Sequence, residues 1–213
     1  NAEHDAATLL NGVETLLNAR VACILLNPVN SDAASSAVLK ANAAKVPVVT
    51  FDVTATKGEV ASFVESNNGM AGKLCADYIG WRLKGKGKIV ILDHPEPSSG
   101  RQRTAGFKEH LAAAFPNVEI VDTQVSQGRK EVALSVTENL LRAHPDLDAI
   151  FAINDPSGLG AAQAVKAAQN THIFVTGIDG APDAIAELKK DGPFAMTVAQ
   201  FPQEIGRVAA ETA

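Results

Sequence analysis

The stretch AIFAINDPSGLG, residues 149–160, decides how the chain is read. An apolar run from Ala149 to Ile153 stops at Asn154 and Asp155, and Pro156 opens a segment of helix formers. Apolar strand, two polar side chains and a proline in the first helical turn mark a parallel strand feeding a helix. In an open α/β sheet, ligands sit at the carboxyl ends of the strands. Asn154 and Asp155 are therefore placed either to touch a ligand or to cap the helix, and this stretch alone supports both.

The same unit recurs on both sides of it. Leu9, Val13, Leu16 and Leu17 predict an amphipathic helix over 3–19. VACILL, Val21 to Leu26, reads as a strand buried on both faces and ends at Asn27; Ser31 or Asp32 then caps a helix reaching about Ala44. Val46 to Phe51 is a strand that delivers Asp52, and Val60 to Val64 a short one that closes on Ser66. After a helix to about Leu83, a GKGK turn (Gly85 to Lys88) restarts the pattern with a strand over 89–92. Strands at 118–125, 173–178 and 195–199 alternate with helices at 101–114, 129–143, from 182, and at the end of the chain. Alternation of this kind means βαβ units, an α/β protein with parallel sheet and helices on both faces. At least seven strands in 213 residues, with a restart at GKGK, suggest two similar doubly wound lobes.

Composition narrows the function. A net charge of −5 with no basic stripe disfavours nucleic acid as a partner. No apolar run approaches the roughly 20 residues of a membrane span, and the first residues lack the pattern of a signal peptide. Cys23 and Cys75 read as two buried free thiols, and five scattered histidines show no zinc spacing, so neither metal nor cofactor is expected.

Asn27, Asp52, Ser66, Asp93, Asn154, Asp179 and Gln200 each follow an apolar strand. One or two could be caps; so many indicate a polar-lined cleft at the carboxyl ends. Carboxylates and amides exchange paired hydrogen bonds with hydroxyl groups, which suits a small polyhydroxylated molecule. Asp52, Asp93, Asp155 and Asp179 could form an acid/base pair, but no nucleophile, phosphate loop or cofactor fingerprint accompanies them, and no enzyme is expected.

FDVTATKGEVASFVESNN, GRQRTAGF, AIFAINDPSGLGA, VTGIDGAPDA and MTVAQFPQEIG stand in the order and spacing of the ribose-binding-protein-like family, which the whole chain resembles. These are periplasmic sugar-binding components of ABC transporters, related to the effector cores of LacI-type repressors. The resemblance implies a type I periplasmic-binding-protein fold, with two Rossmann-like lobes joined by a multi-strand hinge and closing on a sugar or polyol. The amino-terminal lobe would comprise 1–66 plus 201–213 and the carboxy-terminal lobe 67–200. It further implies ligand contacts from Asn27, Asp52, Ser66, Arg103, Asn154, Asp179 and Gln200. Arg103 joins this set from the start of a helix, while Asp155 reads as the helix cap; Asp93 and His94 stand at a strand end but are not counted among the contacts. Partners would be a small sugar or polyol and a membrane permease; the protein would be an exported, periplasmic monomer whose signal peptide is not in this chain.

Three positions depart from ribose binders. Val53 replaces an arginine, no aromatic stands near Gly128, and Ile178 replaces a phenylalanine. The sugar is left open among another pentose, a hexose and a linear polyol. Family members also begin with further elements upstream of Asn1 and continue past Ala213, which implies a fragment with an incomplete first lobe and an exposed sheet edge. The missing upstream segment could carry an export signal or a helix-turn-helix, so the alternative is the effector-binding core of a LacI-type regulator.

Overall fold

The computed structural model describes residues 5–28 and 30–213. The chain divides into two compact units, Asn1–Ser66 with Glu96–Ser99 and Phe201–Ala213, and Asn67–Pro95 with Gly100–Gln200. The piece Glu96–Ser99, which the sequence assigns to 67–200, groups with the first unit. There the Ser98 N–H donates to Ser31 Oγ at 3.0 Å.

In the first unit, α1 (Ala6–Asn18), β1 (Ile24–Leu26), α2 (Ser31–Ala43), β2 (Val48–Phe51), β3 (Ser62–Val64) and the last helix, α8 (Pro202–Thr212), surround a parallel sheet of order β1-β2-β3. Ile24, Leu26 and Val48 pack under Leu9 and Val13 of α1 and Ala37, Val38 and Ala41 of α2. Helix α8 packs on β2 and β3. Leu25, in register with Val49, is therefore left 44% exposed. This corrects the expectation of a strand buried on both faces: β1 is three residues long, lies at the end of the sheet, and is covered on one face only. The cap of α2 is Asn30, whose Oδ1 accepts the Ala33 N–H at 2.7 Å, and neither Ser31 nor Asp32.

The second unit contains α3 (Asn68–Arg82), β4 (Lys86–Asp93), α4 (Ser98–Ala114), β5 (Asn117–Val125), α5 (Lys130–Ala143), β6 (Ala149–Ala152), α6 (Asp155–Ala167), β7 (Phe174–Asp179), α7 (Pro182–Leu188) and β8 (Phe194–Ala199). Its five strands are all parallel in the order β5-β4-β6-β7-β8. Residues 89–92 and 149–152 are completely buried and alternate between two cores. Ile89, Ile91, Ala149 and Phe151 face Ala71, Cys75, Ile79, Phe107 and Leu111 of α3 and α4. Val90, Leu92, Ile150 and Ala152 face Ala133, Leu140, Leu159 and Val165 of α5 and α6. The winding direction thus reverses between β4 and β6, and the crevice beyond their carboxyl ends is the expected place for a ligand.

Two close helix approaches fix these layers. A Cβ on Gly72 of α3 would lie 2.0 Å from the Arg103 carbonyl oxygen of α4, and one on Gly160 of α6 would lie 2.2 Å from the Lys130 carbonyl oxygen of α5. The GKGK segment is mostly strand and only partly turn, since Lys86 to Lys88 pair with Asn117 to Glu119. The described residues hold eight strands, one more than the minimum the sequence suggests.

Candidate functional site

Each sheet ends in polar side chains. In the first unit Asn27 follows β1 and is exposed, while Asp52 and Ser66 follow β2 and β3 and are half-buried. The loop after β2 is tied to the start of α2: Ser35 Oγ accepts the N–H groups of Thr56 and Lys57 at 3.1 and 3.0 Å. Asp52 itself has φ 65° and donates its N–H to the Val64 carbonyl at 2.9 Å.

Among the other positive-φ residues, Arg20, Lys45, Lys84 and Gln169 sit one residue past helix C-caps, where that conformation is ordinary. Asp52 and Asp179, both picked from the sequence as ligand contacts, have it at strand ends, with φ 145° at Asp179. Backbone strain of this kind collects at binding and catalytic positions.

In the second unit the centre is Arg103, buried in α4. Its Nε donates to Asn68 Oδ1 at 2.9 Å, and Nη1 donates to the Ile153 carbonyl at 3.0 Å and to Asp179 Oδ1 at 3.2 Å. The two Nη2 N–H groups take no partner among the described residues. Helix α4 begins at Ser98, so Arg103 lies in its second turn and not at its start. Asp179 Oδ1 also accepts Gln200 Nε2 at 2.7 Å. Burial raises the Asp179 carboxyl above the usual carboxylate range, and the Arg103 guanidinium pulls the other way. Arg103, Asp179 and Gln200 are thereby one hydrogen-bonded set.

Asn154 stands beyond β6 and is the cap of α6: its Oδ1 accepts the Ser157 N–H at 3.1 Å, and its Nδ2 donates to the Gly128 carbonyl at 3.1 Å. The capping role given from the sequence to Asp155 therefore belongs to its neighbour. A Cβ on Gly128 would lie 2.9 Å from His94 Nδ1 and 3.0 Å from Asn154 Nδ2. His94, just past β4, and Asn154, just past β6, thus both close on Gly128. Asp93 is occupied locally, its Oδ1 accepting the His94 N–H and the Thr104 hydroxyl at 2.8 and 2.7 Å.

Sequence reasoning missed Asn68, which orients Arg103, and Thr197, which holds the turn beyond β7. Asn68 opens α3 and Thr197 lies within β8 as ordinary polar residues, and only the pairing of distant segments reveals them. Cys75 is buried, as expected, with its thiol pushed up to about 12, chiefly by burial; Cys23 is half-buried. No group of three or more potential metal ligands occurs among the described residues, and none of their helices is long and apolar enough to cross a membrane.

Two α/β units with parallel sheets and polar side chains at the strands' carboxyl ends fit the type I periplasmic-binding-protein fold. The chain belongs to the periplasmic binding protein family, whose domain model matches residues 1–213. It is 38% identical over 214 residues to the ribose import binding protein of Escherichia coli, covering 100% of this chain and 71% of that one. A solute-binding protein of an Actinobacillus succinogenes ABC transporter, solved with D-allose, superposes with a TM-score of 0.85 at 31% identity, covering 97% of this chain and 75% of that one. Another, from Bacillus halodurans and solved with myo-inositol, gives 0.91 at 25% identity, with coverages of 99% and 74%. These relatives are transport proteins that bind solutes.

Proposed function

We propose that this protein is the solute-binding component of an ABC importer, and that it holds a small sugar or polyol without chemically changing it. The observation that carries the reading is the Arg103–Asp179–Gln200 set, a buried guanidinium braced on three sides with two donors left over. A fixed fork of donors beside a carboxylate matches vicinal hydroxyl groups. Asn154 adds an amide from the same sheet end; in the first unit Asn27, Asp52 and Ser66 stand at strand ends with the same kind of chemistry. The relatives' bound D-allose and myo-inositol are consistent with this chemistry. The reading carries with it an exported, periplasmic monomer that delivers its solute to a membrane permease; the relatives above are import components, which favours it over a regulator core.

A thermal-shift panel of D-ribose, D-allose, D-arabinose, xylitol and myo-inositol tests the proposal on the full-length protein. A ligand at a hundred times its Kd adds about 2.7 kcal/mol, which moves the midpoint by several degrees. One strong hit, abolished by Asp179→Ala and by Arg103→Ala, is the expected result. No shift with any sugar or polyol would refute it.

A further inference from the structure

Asp155 is completely buried at the first position of α6, and because Asn154 caps that helix, its carboxylate reaches elsewhere. Oδ2 accepts the Ala181 N–H at 2.8 Å, and Oδ1 accepts the Thr197 hydroxyl at 2.6 Å. The same Thr197 oxygen accepts the Gly180 N–H at 3.1 Å. The Asp155 N–H in turn donates to Asp179 Oδ2 at 3.4 Å. One residue thus reaches three consecutive residues, Asp179 at the end of β7 and the two beyond it, directly or through Thr197.

That turn needs holding. Asp179 has φ 145° and Gly180 φ 70°, and a Cβ on Gly180 would lie 2.7 Å from Ala199 Cβ. Room for the clamp is built in as well, since a Cβ on Gly177 would lie 2.5 Å from Asp155 Oδ1. Strained backbone persists only where its surroundings over-determine it.

We propose that Asp155 is a positioning residue whose carboxylate, acting with Thr197, clamps residues 179–181 and so aims the Asp179 carboxylate at the bound solute. This rests on the reading of Asp179 as a ligand contact. The clamp depends on charge, because both contacts from Asp155 need an acceptor oxygen and a protonated carboxyl offers fewer. The titratable groups facing it are Asp179 on β7, Asp183 on α7 and the Cys75 thiol on α3, while Arg103 is bonded to Asp179. Burial, foremost, raises Asp155 to about 6 against its hydrogen bonds from Thr197 and Ala181, with Asp179 and Asp183 adding to the rise. The clamp therefore tightens as pH rises through about 6.

Amide hydrogen exchange and chemical shifts, recorded from pH 5 to 8 on the full-length protein without sugar, test the clamp directly. In the wild type the Ala181 amide shift titrates with a midpoint near 6, and in Asp155→Asn that titration disappears. Exchange at Gly180 and Ala181, corrected for intrinsic rates, becomes roughly tenfold faster or more in the variant, while Val90 and Ile91 of β4 are unchanged. Thr197→Val removes the Gly180 acceptor and the donor to Asp155 Oδ1 but leaves the Ala181 contact, and serves as the test should Asp155→Asn fail to fold. D-ribose, D-allose and xylitol are then titrated at pH 5 and 7. The sugar that binds the wild type does so about tenfold more tightly at pH 7, and Asp155→Asn abolishes the difference. An Ala181 amide that does not titrate in the wild type, or Gly180 exchange unchanged in Thr197→Val, overturns the clamp. Clamped amides with an affinity indifferent to pH and to Asp155→Asn overturn the positioning role. If no sugar binds the wild type, the sugar reading fails, and the amides still decide the clamp.

Discussion

Substituting Gly72 by alanine should injure the ligand site from a distance. The added Cβ would lie 2.0 Å from the Arg103 carbonyl oxygen and 2.8 Å from the Phe107 nitrogen, both backbone atoms that no rotamer change can move. Ordinary contact begins at 3.4 Å, so α4 must retreat from α3 by about 1.4 Å. Arg103 rides on α4 and its Nε partner, Asn68, on α3, 2.9 Å apart. A retreat of that size takes the pair beyond hydrogen-bonding range. Overpacking costs about 1–3 kcal/mol and a loosened charge-assisted bond about 1.5–3 kcal/mol, together roughly 2.5–6 kcal/mol. At this size the midpoint should fall by roughly 10 °C. Calorimetric unfolding and a titration of the solute found by the sugar panel provide the assay, and solute affinity should fall tenfold or more. Gly69→Ala, one turn earlier, is the control: its Cβ meets nothing closer than Asn67 Oδ1 at 3.9 Å, so it should be neutral or slightly stabilising. A Gly72→Ala protein that unfolds within 2 °C of the wild type and binds solute equally well would refute the argument.

Other outcomes follow from single features. Gly12 lies exposed within α1, and a Cβ there meets nothing within 4 Å, so Gly12→Ala should stabilise the protein by up to about 1 kcal/mol in urea unfolding. Thr176 Oγ1 is buried with no hydrogen-bond partner among the described residues, and Thr176→Val should leave stability unchanged or raise it by about 1 kcal/mol. Asp155, raised to about 6 in the folded chain, binds its proton more tightly there than unfolded. Its contribution to stability is thus fully present below about pH 4 and lost as pH rises through about 6. Denaturation from pH 4 to 8 should show the wild type losing roughly 3 kcal/mol relative to Asp155→Asn across that window.

The doubly wound architecture was legible because its central strands announce themselves. Residues 89–92 and 149–152 are unbroken apolar runs, buried on both faces, and each is followed by polar residues and a helix. Less was legible at the margins. VACILL looks as apolar as those strands, yet α8, which returns from the far end of the chain, packs on β2 and β3, and Leu25 of β1 stays 44% exposed. The caps of α2 and α6 were displaced by one residue for a related reason. Asn, Asp and Ser cap about equally well, so NSD and ND offer adjacent choices that only backbone geometry separates.

The candidate site divides along the same line. Which side chains stand at strand ends is local information, and Asp52, Asn154, Asp179 and Gln200 were found by it. What each side chain does is set by partners remote in the chain: Arg103 meets Asp179 across 76 residues, and Asp155 meets Thr197 across 42. A helix cap and a buried clamp ask for the same residue types at the same place, so Asn154 and Asp155 could be recognised together but not told apart. The difference lies in β8, whose pairing with β7 sets Thr197 beside Gly177 and brings its hydroxyl within 2.6 Å of the Asp155 carboxylate. A charge that burial disfavours is kept where it holds a strained turn at the end of β7, and the stability lost as pH rises from about 4 through about 6 is the physical consequence of that placement.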